Sequence, residues 1–202
     1  MTRSLQSHNE RPPAAHCPLL VFASCVLLLL TTGTLANGHT SLFTSDGYRI
    51  DDFLSPVPDS APGARTVGTG DVKRLTESAG NPPVLIDVLP SPPRPGGLSP
   101  TALWLPPARH NIPGSVWLPN VGYGRVSDAL DHYFRANLQR LTNDDPTRPV
   151  IIYCLADCWM SWNAARRAAE YGYKRILWYP EGTDGWVAAG LPLATSTPVP
   201  MH

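Results

Sequence analysis

Two short runs, Val84–Leu89 and Val150–Tyr153, are rich in β-branched and aromatic residues and, Asp87 apart, apolar on successive positions, so neither can turn one face to water. A strand of that kind suits the inside of a parallel sheet covered on both sides. A third run, Arg175–Tyr179, has similar character. Helical patterns lie between and beside the runs. Asp71–Ala79 places Val72 and Leu75 on one face and meets Gly80 as a stop, and Ser127 can cap a helix reaching Leu141. Leu130, Phe134, Leu138 and Leu141 recur there every three or four residues, and Ser161–Tyr171 forms an Ala- and Arg-rich helix before Gly172. Strands alternating with helices predict an α/β domain with a mostly parallel central sheet flanked by helices.

Proline sets limits on the rest. Of the 202 residues 23 are proline, and seven fall between Pro90 and Pro107, where no helix or central strand can persist. That stretch is expected to be an extended surface excursion, and His110–Pro119 a turn feeding a short strand. Asn37–Thr69 is polar, broken by Pro and Gly, and reads as a wrapping arm. Sixteen basic and sixteen acidic residues balance without a basic run, which argues against nucleic acid as a partner.

The first 36 residues read as a targeting segment. Arg3, Arg11 and His16 precede the apolar run Leu19–Leu30, and the small residues Thr34 and Ala36 suit a cleavage site. The run is shorter than the roughly 20 residues of a spanning helix. The expected organisation is therefore a signal peptide over 1–36, an arm over 37–69, the α/β domain over 70–195 and a tail over 196–202. Export to the periplasm and no stable membrane span after cleavage follow from it.

Cleavage also removes Cys17 and Cys25 and leaves Cys154 and Cys158 as the cysteines of the mature chain. Cys154 directly follows an inner strand and precedes a helix, where loop amides and the helix dipole favour a thiolate. Cys158 lies four positions further on, with three residues between them, a spacing compatible with a disulfide across a loop. Two roles stay open for it: a resolving thiol that displaces sulfur from Cys154, or half of a permanent staple. A third arrangement, two thiolates holding Cu(I) with His39, His110, His132 or His202, has no fixed spacing to support it.

The residues Cys154-Leu-Ala-Asp-Cys-Trp159 and on to Ala164 resemble the signature of rhodanese-like proteins associated with PQQ-dependent alcohol catabolism, the Cys-Trp motif family. The resemblance runs from about Tyr48 to Leu193. It includes Leu85-Ile86-Asp87, Ile112-Pro113-Gly114-Ser115 and Pro180-Glu-Gly-Thr-Asp-Gly-Trp186. It implies a rhodanese-like fold in which Cys154 carries sulfane sulfur and Cys158 assists. It also implies a sulfur donor or thiol acceptor as partner, such as a periplasmic protein of a PQQ-dependent oxidation system.

The loop departs from the family's usual pattern, with Asp157, Cys158 and Trp159 where a mid-loop Gly and a terminal Arg are common. Asp157, Trp159, Trp162 and Arg166 are the candidates for substrate contact; Asp87 is expected to bind loop amides or turn the chain, and Asp184 to cap a short helix. No PQQ or haem attachment site is visible in the sequence, so no resident cofactor is expected.

Overall fold

The computed structural model describes residues 41–99, 101–103 and 107–201. The expected signal segment 1–36, the start of the arm, His39 and His202 lie outside them. In chain order the elements are β1 (Ala64–Thr66), α1 (Thr69–Thr76), β2 (Val84–Asp87), β3 (Arg109–Asn111), β4 (Val116–Trp117) and α2 (Asp128–Thr142). They continue with β5 (Val150–Tyr153), α3 (Trp159–Glu170), β6 (Ile176–Tyr179), α4 (Gly182–Ala188) and β7 (Ala194–Ser196).

A five-stranded sheet runs in the order β1-β6-β5-β2-β4, every neighbouring pair parallel. β2, β5 and β6 are its inner strands, and all twelve of their residues are buried. Alternation across the pleat divides them between two cores. Val84, Ile86, Val150, Ile152, Ile176 and Trp178 face Phe134 and Leu138 of α2 and Met160, Ala164 and Ala168 of α3. Leu85, Ile151, Tyr153, Leu177 and Tyr179 face Val72 of α1 and Trp186 of α4. Apart from Asp87 at the end of β2, each inner strand is apolar because each face has its own helical layer.

Ser127 caps α2 as its sequence suggests, accepting from the Leu130 amide at 3.3 Å. Three local details differ from expectation. α1 stops at Thr76, since the hydroxyls of Thr76 and Ser78 turn back to the carbonyls of Lys73 and Arg74 and end the helix before Gly80. β1 lies inside the segment read as arm: three residues without periodicity pair with β6 at the sheet edge. β3 and β7 form a separate antiparallel ribbon, again too short to show a pattern. Residues 90–99 contain neither helix nor strand, in keeping with their prolines. No helix among the described residues is long and apolar enough to cross a membrane.

Phe134 is fully buried between α2 and the sheet. Phe134→Ala should lower the unfolding free energy by about 3–5 kcal/mol. Urea titration followed by tryptophan fluorescence measures it, and Leu130→Ala, at a partly buried position on the same stripe, should cost clearly less.

Candidate functional site

β5 delivers Cys154 to the carboxyl end of the sheet. The chain then makes a tight loop in which Asp157 takes a left-handed φ of 49°, a conformation that Asp tolerates better than most residues. This reversal brings Cys158 back to Cys154 at a Cα separation of 6.1 Å, and the two form a disulfide. Cys158 is also the N-cap residue of α3, which begins two residues earlier than its Ala-rich pattern suggests. Its carbonyl accepts from the Ser161 hydroxyl at 2.8 Å, and that hydroxyl accepts from Trp178 Nε1 of β6 at 3.0 Å. Both cysteines are buried, at 0% and 2% exposure.

The opposite wall comes from α4. α3 and α4 pack on opposite faces of the sheet, so the loops leaving the adjacent strands β5 and β6 diverge, and the crevice between them is where open α/β sheets bind ligands. The Thr183 amide donates to the Cys154 carbonyl at 3.0 Å. Gly182 permits this approach: its φ is +53°, and a Cβ there would collide with that carbonyl. Asp184 lies in the first turn of α4 and does not cap it; its Oδ2 accepts from the Ala156 amide in the cysteine loop at 2.8 Å.

Asp87 supports this wall from below. Its carboxylate accepts from Arg109 Nε at 2.8 Å and from the Leu89 amide at 2.9 Å. Arg109 Nη2 continues to the Thr183 hydroxyl at 3.2 Å. Burial raises the Asp87 carboxyl above its ordinary pKa, while Arg109 and the Leu89 amide oppose the shift. Tyr153, the residue before Cys154, holds the Ile112–Ser115 turn: its hydroxyl accepts from the Ile112 amide at 3.0 Å and bonds the Ser115 hydroxyl at 2.6 Å.

The arm closes the remaining side. Leu54 bridges Cys158 in antiparallel fashion, with the Ser55 amide donating to the Asp157 carbonyl at 3.1 Å and the Trp159 amide to the Phe53 carbonyl at 2.9 Å. Trp159 Nε1 donates to the Ser55 hydroxyl, and its ring meets Phe43 and Trp162 edge to face. Arg49, only 6% exposed, lies 4.9 Å from the Trp159 ring and donates to the carbonyls of Asp51 and Asp52.

Trp162 Nε1 donates to the Ser60 carbonyl at 2.9 Å. Arg166 pairs with Glu170, donates to the Asp46 carbonyl and stacks over Tyr48. Of the residues singled out from sequence, Cys154, Asp157, Cys158 and Trp159 therefore gather at the loop, whereas Trp162 and Arg166 engage the arm further along α3. The neighbouring Arg167 is buried and donates to the carbonyls of Val121, Tyr123 and Gly124.

Arg49, Arg109 and Thr183 carry no local signal in sequence, because each acts through a partner distant along the chain. A cavity of about 750 Å³ lies at the amino ends of the strands, against Arg65, Pro83, Pro149 and Arg175, away from the disulfide. Among the described residues no three of His, Cys, Asp and Glu converge to hold a metal ion.

The family model described as "Rhodanese-like domain" matches residues 71–189, more than half of the chain. No curated protein matches it. Among solved structures, an uncharacterized protein from Saccharomyces cerevisiae is 20% identical, with a TM-score of 0.40 over 63% of this chain and 93% of that one. The polysulfide-sulfur transferase homodimer from Wolinella succinogenes is 21% identical, with a TM-score of 0.40 over 65% of this chain and 79% of that one. EanB in complex with hercynine is 20% identical, with a TM-score of 0.43 over 76% of this chain and 36% of that one.

Gly182→Ala should cost about 1–3 kcal/mol of stability, combining the left-handed backbone with the collision at Cys154. Gly190→Ala is the control, since its φ is also positive, at +73°, but a Cβ there meets nothing within 4 Å. Guanidinium unfolding of the two variants should show the larger loss at Gly182.

Proposed function

Because the chain belongs to the rhodanese-like domain family, we propose that it moves sulfane sulfur or thiol equivalents through Cys154 and Cys158. The observation that carries this reading is the closed pair itself, joined between the end of an inner strand and the start of α3 at a Cα separation of 6.1 Å. In the chain-entropy model a loop this small adds only about 2 kcal/mol, so stabilisation is a weak reason for placing a disulfide here.

The sequence of bonds is as follows. In the reduced protein the Cys154 thiolate attacks the outer sulfur of a persulfide R–S–S⁻; that S–S bond breaks, R–S⁻ leaves, and Cys154 carries the sulfane sulfur. The Cys158 thiolate then attacks Sγ of Cys154. The Cys154–Cys158 bond forms, and the outer sulfur takes the electron pair of the broken bond and leaves with one proton as HS⁻. Two thiolates are oxidised to a disulfide and one sulfane sulfur is reduced. A dithiol regenerates the pair by exchange, becoming a disulfide in turn.

In this reading the protein is exported, supported by the basic start and the Leu19–Leu30 run, and works where disulfides persist. It serves as an accessory to PQQ-dependent alcohol oxidation, supported by the resemblance at Cys154–Ala164 and Pro180–Trp186. A second reading has its own support: the burial of both cysteines fits a binding module whose disulfide shapes a surface for a partner protein.

Mass spectrometry after reduction and exposure to glutathione persulfide separates the two. Cys154→Ser should abolish sulfur loading. Cys158→Ser should load one sulfur atom and retain it, whereas the parent releases hydrosulfide and returns to the disulfide. If parent and variants fold alike and none shows sulfur or disulfide chemistry, the binding-module reading replaces this one.

A further inference from the structure

The cysteine loop lies between a strand end and the N-terminus of a twelve-residue helix, so its amides form a place for an anion. The chain itself fills much of that place. The Ala156 amide is taken by the Asp184 carboxylate at 2.8 Å, and the Trp159 amide by the Phe53 carbonyl at 2.9 Å. The carboxylate arrives from another element, 28 residues along the chain, and α4 is held in place by the Thr183–Cys154 bond and the Asp87–Arg109–Thr183 chain.

Charge around the loop has the same sense. Asp51, Asp52, Asp157, Glu181 and Asp184 are exposed. The guanidinium groups beside Trp159 and Thr183 are committed, Arg49 to Asp52 and backbone carbonyls and Arg109 to Asp87. An incoming dianion would meet carboxylates and find its amide already bonded.

We infer that Asp184 is a specificity-determining residue: it occupies the loop's anion position from within the chain, so the site refuses oxyanionic donors of the thiosulfate class and takes sulfur carried on an organic thiol. This rests on the sulfur-transfer reading above and names its substrate class. The excluded reaction would be attack of the Cys154 thiolate on the outer sulfur of thiosulfate, with the S–S bond breaking and sulfite leaving with the electron pair. The accepted one breaks the S–S bond of an organic persulfide and releases its thiolate.

The test compares reduced parent protein, Asp184→Asn and Asp184→Ala in two measurements. The first is sulfur loading of Cys154 from thiosulfate and from glutathione persulfide, read by mass spectrometry. The ratio of thiosulfate to persulfide loading should rise at least tenfold in Asp184→Ala. It should rise less in Asp184→Asn, which removes the charge but keeps an oxygen for the Ala156 amide. A purely structural role would lower loading from both donors and leave the ratio unmoved, which overturns the inference.

The second measurement is sulfate binding, followed by the amide resonance of Ala156, and it decides even if no donor loads the parent. Asp184→Ala should bind sulfate at least tenfold more tightly than the parent. Equal binding, or thiosulfate loading the parent as fast as the persulfide does, overturns the assignment of Asp184. No loading of the parent or of either variant from any donor, with tighter sulfate binding in Asp184→Ala, would instead count against the sulfur-transfer reading alone.

Discussion

β5 is buried on both faces, and the rest of the molecule is arranged around that fact. A strand flanked on both edges by parallel neighbours and covered above and below has no polar outlet until its carboxyl end. There the chain must leave toward one helical layer while the next strand's exit leaves toward the other. α3 goes to the layer of Phe134 and Ala164, and α4 to the layer of Val72 and Ile112. At the crevice that results, the disulfide joins Cys154 to Cys158, the Thr183 amide bonds the Cys154 carbonyl, and Asp184 bonds the Ala156 amide between the two cysteines.

Rigidity at this crevice comes from buried polar groups that each have partners. Asp87 would be costly alone in the sheet, but it receives Arg109 and the Leu89 amide, and Arg109 passes the constraint to Thr183. Asn163 does the same for the arm, accepting from the Arg49 amide and donating to the carbonyls of Arg49 and Gly122. Arg49 is then available to lie against Trp159 with its charge spread over carbonyl partners. Removing any one member would leave another buried group unsatisfied, so the loop's shape is a collective property.

The arm has a consequence for the tryptophans beside the loop. Trp159 and Trp162 read from sequence as candidates for substrate contact, yet each indole nitrogen donates to an arm residue and the two rings meet edge to face. Arg166 is likewise committed to Glu170, Asp46 and Tyr48. These residues hold the arm against α3, and the arm in turn bridges Cys158.

Much of this was legible in the chain. The inner strands are evident because burial on both faces leaves an uninterrupted apolar run, and α2 because one buried stripe imposes a period near 3.6 and Ser127 has a hydroxyl to cap it. The placement of Cys154 followed from the strand before it, and the link to Cys158 was open as one of two roles. β1, β3 and β7 were not legible, since three residues hydrogen-bonded to distant backbone need no side-chain pattern. Nor was the N-cap at Cys158, because the helix gains its first turn from Ser161 and the arm's Phe53.

The same limit applied to Asp184, where helix-capping preference, a local rule, suggested a role within α4. Sequence by itself determined which segments must be buried and where a thiol would emerge from the sheet, because those depend on neighbours along the chain. Only the tertiary structure decided that Asp184 bonds the cysteine loop and that Arg49 and Arg109 are held inside, because those partners lie dozens of residues away and meet only when the two helical layers close on the sheet.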